Sequence, residues 1–287
     1  MSTIWELDFY SRPILDENNK KVWEILICES PQDVKTPSES LFRYAEYCAS
    51  SEINSVKLGQ VLQEAIARAP KPPDRIRFFR QAMNNMITKA CEDVGLPVVL
   101  SRRTIALNQW LNQRMQEEYP KHPGFQPGTN PSVNFAATAP QRLPDALVGQ
   151  KWAFVTLEAG AFDEMGEWAI DFGEAFPLDL VGLSRDRRIP GLIIFSSRAT
   201  PLAAWMSGLE LACLKFDTES APSLLLETGV SDRWILASLN NTQLQAEAKN
   251  FEAAKQQANG IHFIAVQTDP ENEAFAGFWL LQETDLA

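Results

Sequence analysis

Residues 75–118 read RIRFFRQAMNNMITKACEDVGLPVVLSRRTIALNQWLNQRMQEE. Short apolar runs alternate here with longer segments of helical period. Arg75 to Phe79 reads as a strand, Gln81 to Val94 as a helix, Pro97 to Leu100 as a second strand and Thr104 to Glu118 as a second helix. Two strand-then-helix units in succession are the signature of parallel strands whose connecting helices cover a sheet. Upstream, Val56, Leu58, Val61, Leu62, Ala65 and Ile66 recur at helical spacing between Ser55 and Ala69, and Pro70, Pro72 and Pro73 stop that helix. Further back, Ile4 to Phe9, Val22 to Cys28 and Phe42 to Cys48 have strand composition, the first two joined by the turn residues Asp16, Glu17, Asn18 and Asn19.

The resulting order, β-β-β-α-β-α-β-α, is that of a ribonuclease H-like sheet. From Pro120 to Pro144, six prolines fall within twenty-five residues beside Gly124 and Gly128, which opposes both helix and central strand. The expected organisation is therefore α/β with two mixed-sheet lobes: residues 1–119, a proline-rich connector over 120–147, and residues 148–287. In the second lobe, strands are expected at Trp152 to Leu157, Leu192 to Phe195, Leu211 to Phe216, Leu224 to Glu227, Trp234 to Leu239, Ile261 to Gln267 and Phe275 to Leu281. Helices fit Pro201 to Leu209 and Thr242 to Gln257, with Thr242 as N-cap and Gly260 as the stop. The segment Val98 to Leu111 can also be laid over Ile193 to Met206, pairing Ser101 with Ser196, Arg103 with Arg198, Leu107 with Leu202 and Trp110 with Trp205. Both copies spell a strand, S-x-R at its end, and a helix with Leu and Trp on one face.

Composition removes several function classes. A chain of 287 residues, 45% hydrophobic, buries a substantial core and fits two domains better than one. No apolar stretch is long enough to span a membrane, and no basic-then-apolar leader opens the chain. Cys28, Cys48, Cys91 and Cys213 form no C-x-x-C pair and have only His122 and His262 to join them, so reduced thiols are expected rather than a zinc site or disulfides. Phosphate-binding, dinucleotide-binding, serine-hydrolase and zinc-protease motifs are all missing. No cofactor, metal or catalytic residue set is expected.

The net charge of −11 is uneven: residues 1–125 carry sixteen basic and sixteen acidic side chains, residues 126–287 ten and twenty-one. Within residues 66–114, nine Lys and Arg face three Asp and Glu, a local excess of six positive charges. Arg75, Arg77, Phe78, Phe79 and Arg80 combine cations for phosphate with rings on which unpaired bases stack, and Lys89, Arg102, Arg103 and Arg198 extend that set. On a strand, Arg75, Arg77 and Phe79 share one face, and Ile76, Phe78 and Arg80 the other, so at least one phenylalanine is expected in the core. A competing reading is a metal-dependent nuclease using Asp8 on the first strand and Glu64 on the first helix, although no carboxylate follows the fourth strand. A third is a protein-binding scaffold presenting Trp279, Leu280 and Leu281 with the acidic lobe.

WELDFYSRP (Trp5 to Pro13), KVWEILIC (Lys21 to Cys28), RFFR (Arg77 to Arg80), SRRT (Ser101 to Thr104) and the terminal WLL (Trp279 to Leu281) together resemble the Tab/Atab proteins over nearly the whole chain. That resemblance implies a non-enzymatic RNA-binding protein that, in chloroplasts, promotes translation of a photosystem I reaction-centre message through its 5′ leader and supports photosystem assembly. The implied partners are a single-stranded, A/U-rich messenger leader and the ribosome or photosystem assembly proteins. Trp279, Leu280 and Leu281 match the family's terminal tripeptide. Without a Ser- and Arg-rich leader, the expected setting is a cyanobacterial cytoplasm with peripheral contact to thylakoids.

Overall fold

Alternation along the first strand organises the amino-terminal half of the chain. β1 (Ile4–Leu15) turns Trp5, Leu7 and Phe9 to one face, where α1 (Ser55–Arg68) and α2 (Asn84–Asp93) close over them with Leu58, Val61, Leu62, Ala65, Ile87 and Ala90. β2 (Lys21–Glu29) returns antiparallel through a turn in which Asn19 takes φ 58°, and β3 (Arg43–Cys48) pairs antiparallel with β2. β4 (Arg75–Phe78) and β5 (Val98–Leu100) extend the other side in parallel, giving the order β3-β2-β1-β4-β5. α3 (Ile105–Glu117) covers the second face; the Glu6 carboxylate of β1 accepts the Leu107 N–H at 2.7 Å. The Thr104 side chain makes no capping bond, so the exposed amides of this helix start are met by an acid from the sheet.

The computed structural model describes residues 2–128, 133, 138–219 and 221–284. They divide into two compact units, one within Met1–Pro31 and Pro37–Asn134, the other within Gln32–Thr36 and Phe135–Thr284. Of the proline-rich segment, 129–132 and 134–137 lie outside the described residues, and Gln141–Arg142 forms the short strand β6. The first strand runs past Phe9 to Leu15, its pairing shifting register between Ser11 and Leu15, where Pro13 has no N–H to give to the ladder.

The second unit holds two sheets. β7 (Lys151–Glu158), β8 (Ile170–Glu174), β9 (Arg188–Phe195), β10 (Leu211–Asp217), β11 (Ser223–Thr228), β12 (Asp232–Ser238), β13 (Ile261–Gln267) and β14 (Phe275–Gln282) arrange as β7-β9-β13-β14-β8 and, with β6, as β10-β11-β12-β6. α4 (Ala199–Ser207) and α5 (Thr242–Gln257) share the apolar core with both sheets. β8 is not expected from the sequence: Ile170 and Phe172 alternate with Asp171 and Gly173 over only five residues, and the strand pairs in parallel with β14. The N-cap of α5 is Asn241, whose side chain accepts the Leu244 N–H at 2.8 Å, and not the neighbouring Thr242; Gly260, at φ 78°, follows the helix end as expected.

β14 is the final strand expected at Phe275 to Leu281, and its burial counts against the scaffold reading of an accessible terminal motif. It lies inside its sheet, Trp279 and Leu281 pack with Leu202, Ala203 and Met206, and Leu280 is buried on the opposite face. Phe278, on the face of Leu280, stacks on Phe263 at 5.1 Å, and a Cβ on Gly191 across the ladder would fall 2.2 Å from the Phe263 ring. A strand buried on both faces offers a partner no side chain, so the tripeptide acts here as core. Trp279→Ala is expected to cost about 3–5 kcal/mol in urea denaturation.

His262 is sealed beside this core, its Nε2 accepting the Leu214 N–H at 2.8 Å and its Nδ1 2.8 Å from the Gly260 carbonyl. Burial, reinforced by the Lys255 ammonium, brings its pKa down to about 3. An unfolded histidine titrates near 6.5, so this contribution to stability is complete above that pH and declines as pH falls toward 3. The expected readouts are a His262 ring resonance that stays neutral at pH 5 and a denaturation midpoint that drops between pH 7 and 4.

Candidate nucleic-acid interface

The R-F-F-R stretch lies within the sheet rather than upon it. Phe78 and Phe79 are 1% and 0% exposed, and Arg77 and Arg80 are 1% and 4% exposed. β4 is flanked by β1 and β5, and the sheet carries helices on both faces, so alternate residues of the strand point into two interiors instead of one interior and solvent. Phe78 joins the core under α1 and α2, and the Arg80 guanidinium lies 4.8 Å from the Phe79 ring. These four residues are removed from any surface on which bases stack.

Arg80 is also neutralised. Its Nε donates to Asp8 Oδ1 at 2.6 Å, while Arg12 Nη1 donates to Asp8 Oδ2 at 2.9 Å. Arg12 Nε donates onward to Glu24 Oε2 at 2.8 Å, the Tyr119 hydroxyl donates to the same oxygen at 2.7 Å, and Arg114 Nη2 donates to Glu24 Oε1. Arg80, Asp8, Arg12, Glu24 and Arg114 thus form a row of alternating charge across the second face of the sheet. Burial acts to raise the Asp8 pKa, but the charges and hydrogen bonds of Arg80 and Arg12 outweigh it and hold the carboxyl below its usual range. Burial, with the Glu24 charge, pushes the Tyr119 hydroxyl far up, so it remains a donor.

The nuclease reading meets the same geometry. Trp5, Leu7 and Phe9 share a core with α1, so alternation places Asp8 on the face away from that helix. Glu64 extends from α1, half exposed, its Oε2 3.2 Å from the Tyr44 hydroxyl. The two carboxylates occupy opposite sides of the sheet and cannot share an ion, and Asp8 already has two guanidinium groups in the place a cation would take.

The other cations are scattered. Arg75 is half-buried at the start of β4, Lys89 is exposed on α2 and paired with Asp93, Arg102 is half-buried after β5, and Arg103 is 5% exposed. Arg198 is exposed in the second unit ahead of α4. The paired S-x-R motifs have one geometry: Ser101 and Ser196 each extend a parallel ladder, to Phe78 O at 2.8 Å and Gln267 O at 2.9 Å, and each hydroxyl accepts the N–H two residues on, at 3.0 and 3.1 Å. Both serines therefore shape a strand-to-helix turn.

A surface missed by the sequence reading lies where the charge row ends. Arg43, Ala45 and Tyr47 alternate outward from β3, and Tyr47 is 37% exposed. The Tyr47 hydroxyl accepts from Arg114 at 3.1 Å and lies 3.2 Å from His122 Nε2, while the Arg43 guanidinium sits 5.5 Å from the Trp110 ring. The R-x-A-x-Y spacing was visible in the sequence as outward positions of a strand; nothing there placed α3 beside it. Asp8→Asn is expected to destabilise the protein by about 3–5 kcal/mol in urea denaturation, because Arg12 and Arg80 would each keep a buried charge and lose the Asp8 carboxylate that faces it.

Both halves of the chain match models of one family: residues 4–114 the "RNA-binding protein Tab2/Atab2 N terminal" and residues 130–282 the "RNA-binding protein Tab2/Atab2, C-terminal domain". The chain is 42% identical over 284 residues to Protein TAB2 homolog, chloroplastic, of Zea mays, covering 96% of this chain and 70% of that one. It is 38% identical over 288 residues to the protein of the same name from Arabidopsis thaliana, covering 96% and 74%. The catalytic core domain of BIV integrase, a solved structure, is 10% identical over 41% of this chain and 68% of that chain with a TM-score of 0.26, a level that carries no fold assignment. The likeness to the plant proteins runs through both units, and the chain belongs to the Tab2/Atab2 family of RNA-binding proteins.

Proposed function

We propose that this chain is a non-enzymatic RNA-binding protein that engages the single-stranded, A/U-rich 5′ leader of a photosystem message, supporting its translation and photosystem biogenesis. The observation that carries the reading is that the two units match the two halves of one RNA-binding family. The two relatives are chloroplastic by name, which suits a photosynthetic setting. Locking Asp8 between Arg12 and Arg80 favours binding over cleavage, because a phosphodiester nuclease needs carboxylates free to take metal. The strand order β3-β2-β1-β4-β5 supports a ribonuclease H-like ancestry for the first sheet, and the division into two units supports two domains joined through the proline-rich segment.

Arg75, Lys89, Arg102 and Arg198 remain as phosphate-contact candidates, whereas Arg77, Phe78, Phe79, Arg80 and Arg103 hold the shape of the unit. Ribosomal or photosystem assembly proteins are the further partners. Crosslinking in photosynthetic cells followed by sequencing of the bound RNA is expected to recover the leader of a photosystem I reaction-centre message above all others. Purified protein with Mg²⁺ or Mn²⁺ is expected to leave that RNA intact. A recovered pool without leader enrichment would sink the translation role, and no recovered RNA would sink the binding role.

A further inference from the structure

We propose that the outer edge of the amino-terminal sheet, with Arg43, Ala45 and Tyr47 of β3 beside Trp110 and His122, is a stacking platform for unpaired bases of single-stranded RNA. The proposal rests on the RNA-binding reading and assigns it a place that the basic R-F-F-R island cannot provide.

β3 is an edge strand whose burial alternates: Tyr44 and Cys48 enter the core while Arg43, Ala45 and Tyr47 face solvent. Outward side chains on one strand repeat about every 7 Å, so the three span roughly 13 Å, similar to the sheet surface on which RNA-recognition modules stack two or three bases. Tyr47 is the exposed aromatic among the large exposed hydrophobics of the described residues, the others being Val56 and Val148. Its ring is set before any ligand arrives. Arg114 donates to its hydroxyl, the His122 ring meets it edge-on at 5.2 Å, and Arg114 is itself held by Glu24. A ring ordered in advance loses little freedom when a base stacks on it.

Arg43 supplies the cation. Arg12, Arg80 and Arg114 are tied to carboxylates, but the hydrogen-bond and ring partners of Arg43 are neutral: the Gln113 amide oxygen at 3.5 Å and the Trp110 ring. An exposed guanidinium beside an aromatic platform suits the phosphate next to a stacked base. One aromatic flanked by Arg43, Ala45 and His122, without a continuous apolar surround, fits a base better than the dry core of a protein interface.

The test measures binding of a labelled A/U-rich single-stranded RNA of about 16 nucleotides by anisotropy, with thermal melting to verify folding. Tyr47→Ala is expected to weaken binding roughly ten- to a hundredfold, and Tyr47→Phe to weaken it far less, because the stacking ring stays and only its hydroxyl anchor is lost. Arg43→Ala is expected to flatten the slope of log affinity against log salt by about 0.7. Photocrosslinking of the native chain, with the modified peptide mapped, is expected to label β3 at Tyr47 and decides the matter should Tyr47→Ala not fold. Native-like binding by both alanine variants overturns the platform and leaves RNA binding in place. A native chain that binds no RNA overturns both readings. Loss of a co-purifying protein from Tyr47→Ala, with RNA affinity unchanged, overturns the platform in favour of a protein contact.

Discussion

The amino-terminal unit depends on a row of five buried or nearly buried charges: Arg80, Asp8, Arg12, Glu24 and Arg114. Taking such groups out of water costs several kcal/mol each, and the cost is offset only when every charge has an opposite neighbour with good hydrogen-bond geometry. Here each carboxylate serves two guanidinium groups, and Tyr119 fills a further acceptor position on Glu24. The members come from β1, β2, the segment just after β4 and α3, so meeting this constraint fixes the helix against the sheet. It also decides which arginines remain for other work.

The same constraint separates two uses of arginine that look alike in sequence. A guanidinium paired with a carboxylate in the interior stiffens the fold and is closed to phosphate. One over a tryptophan at a sheet edge keeps both its charge and its access. Arg80 and Arg43 are these two cases, and the difference between them is not in their neighbours along the chain. The charge row runs outward to the second case, since Arg114 anchors Tyr47 at the surface.

The second unit reaches order by different means. Aromatic stacking of Phe263 on Phe278 and the space left at Gly191 set the packing of β13 against β9 and β14. Lys255, buried, donates to the Leu214 carbonyl at 2.7 Å and pairs with Glu252 and Glu283; burial acts to lower its pKa, but the two carboxylates raise it overall. Most of the negative charge of the chain lies in residues 126–287, so an RNA would meet repulsion there and depend on local contacts.

Periodicity by itself determined the three initial strands, the alternation that follows and most strands of the second half, because apolar spacing of two or near four is written locally. It did not reveal β8, whose ladder comes from β14, nor the cap at Asn241, one residue from the expected Thr242. The basic excess over residues 66–114 was legible as composition, but composition does not say which charges find partners. That was decided by tertiary structure, which brought Asp8, seventy-two residues away, to Arg80, buried both faces of β4, sealed the terminal Trp-Leu-Leu inside a sheet and set α3 beside β3. The physical reason is that burial and ion pairing are properties of surfaces meeting in space, while a sequence shows only which residues could meet.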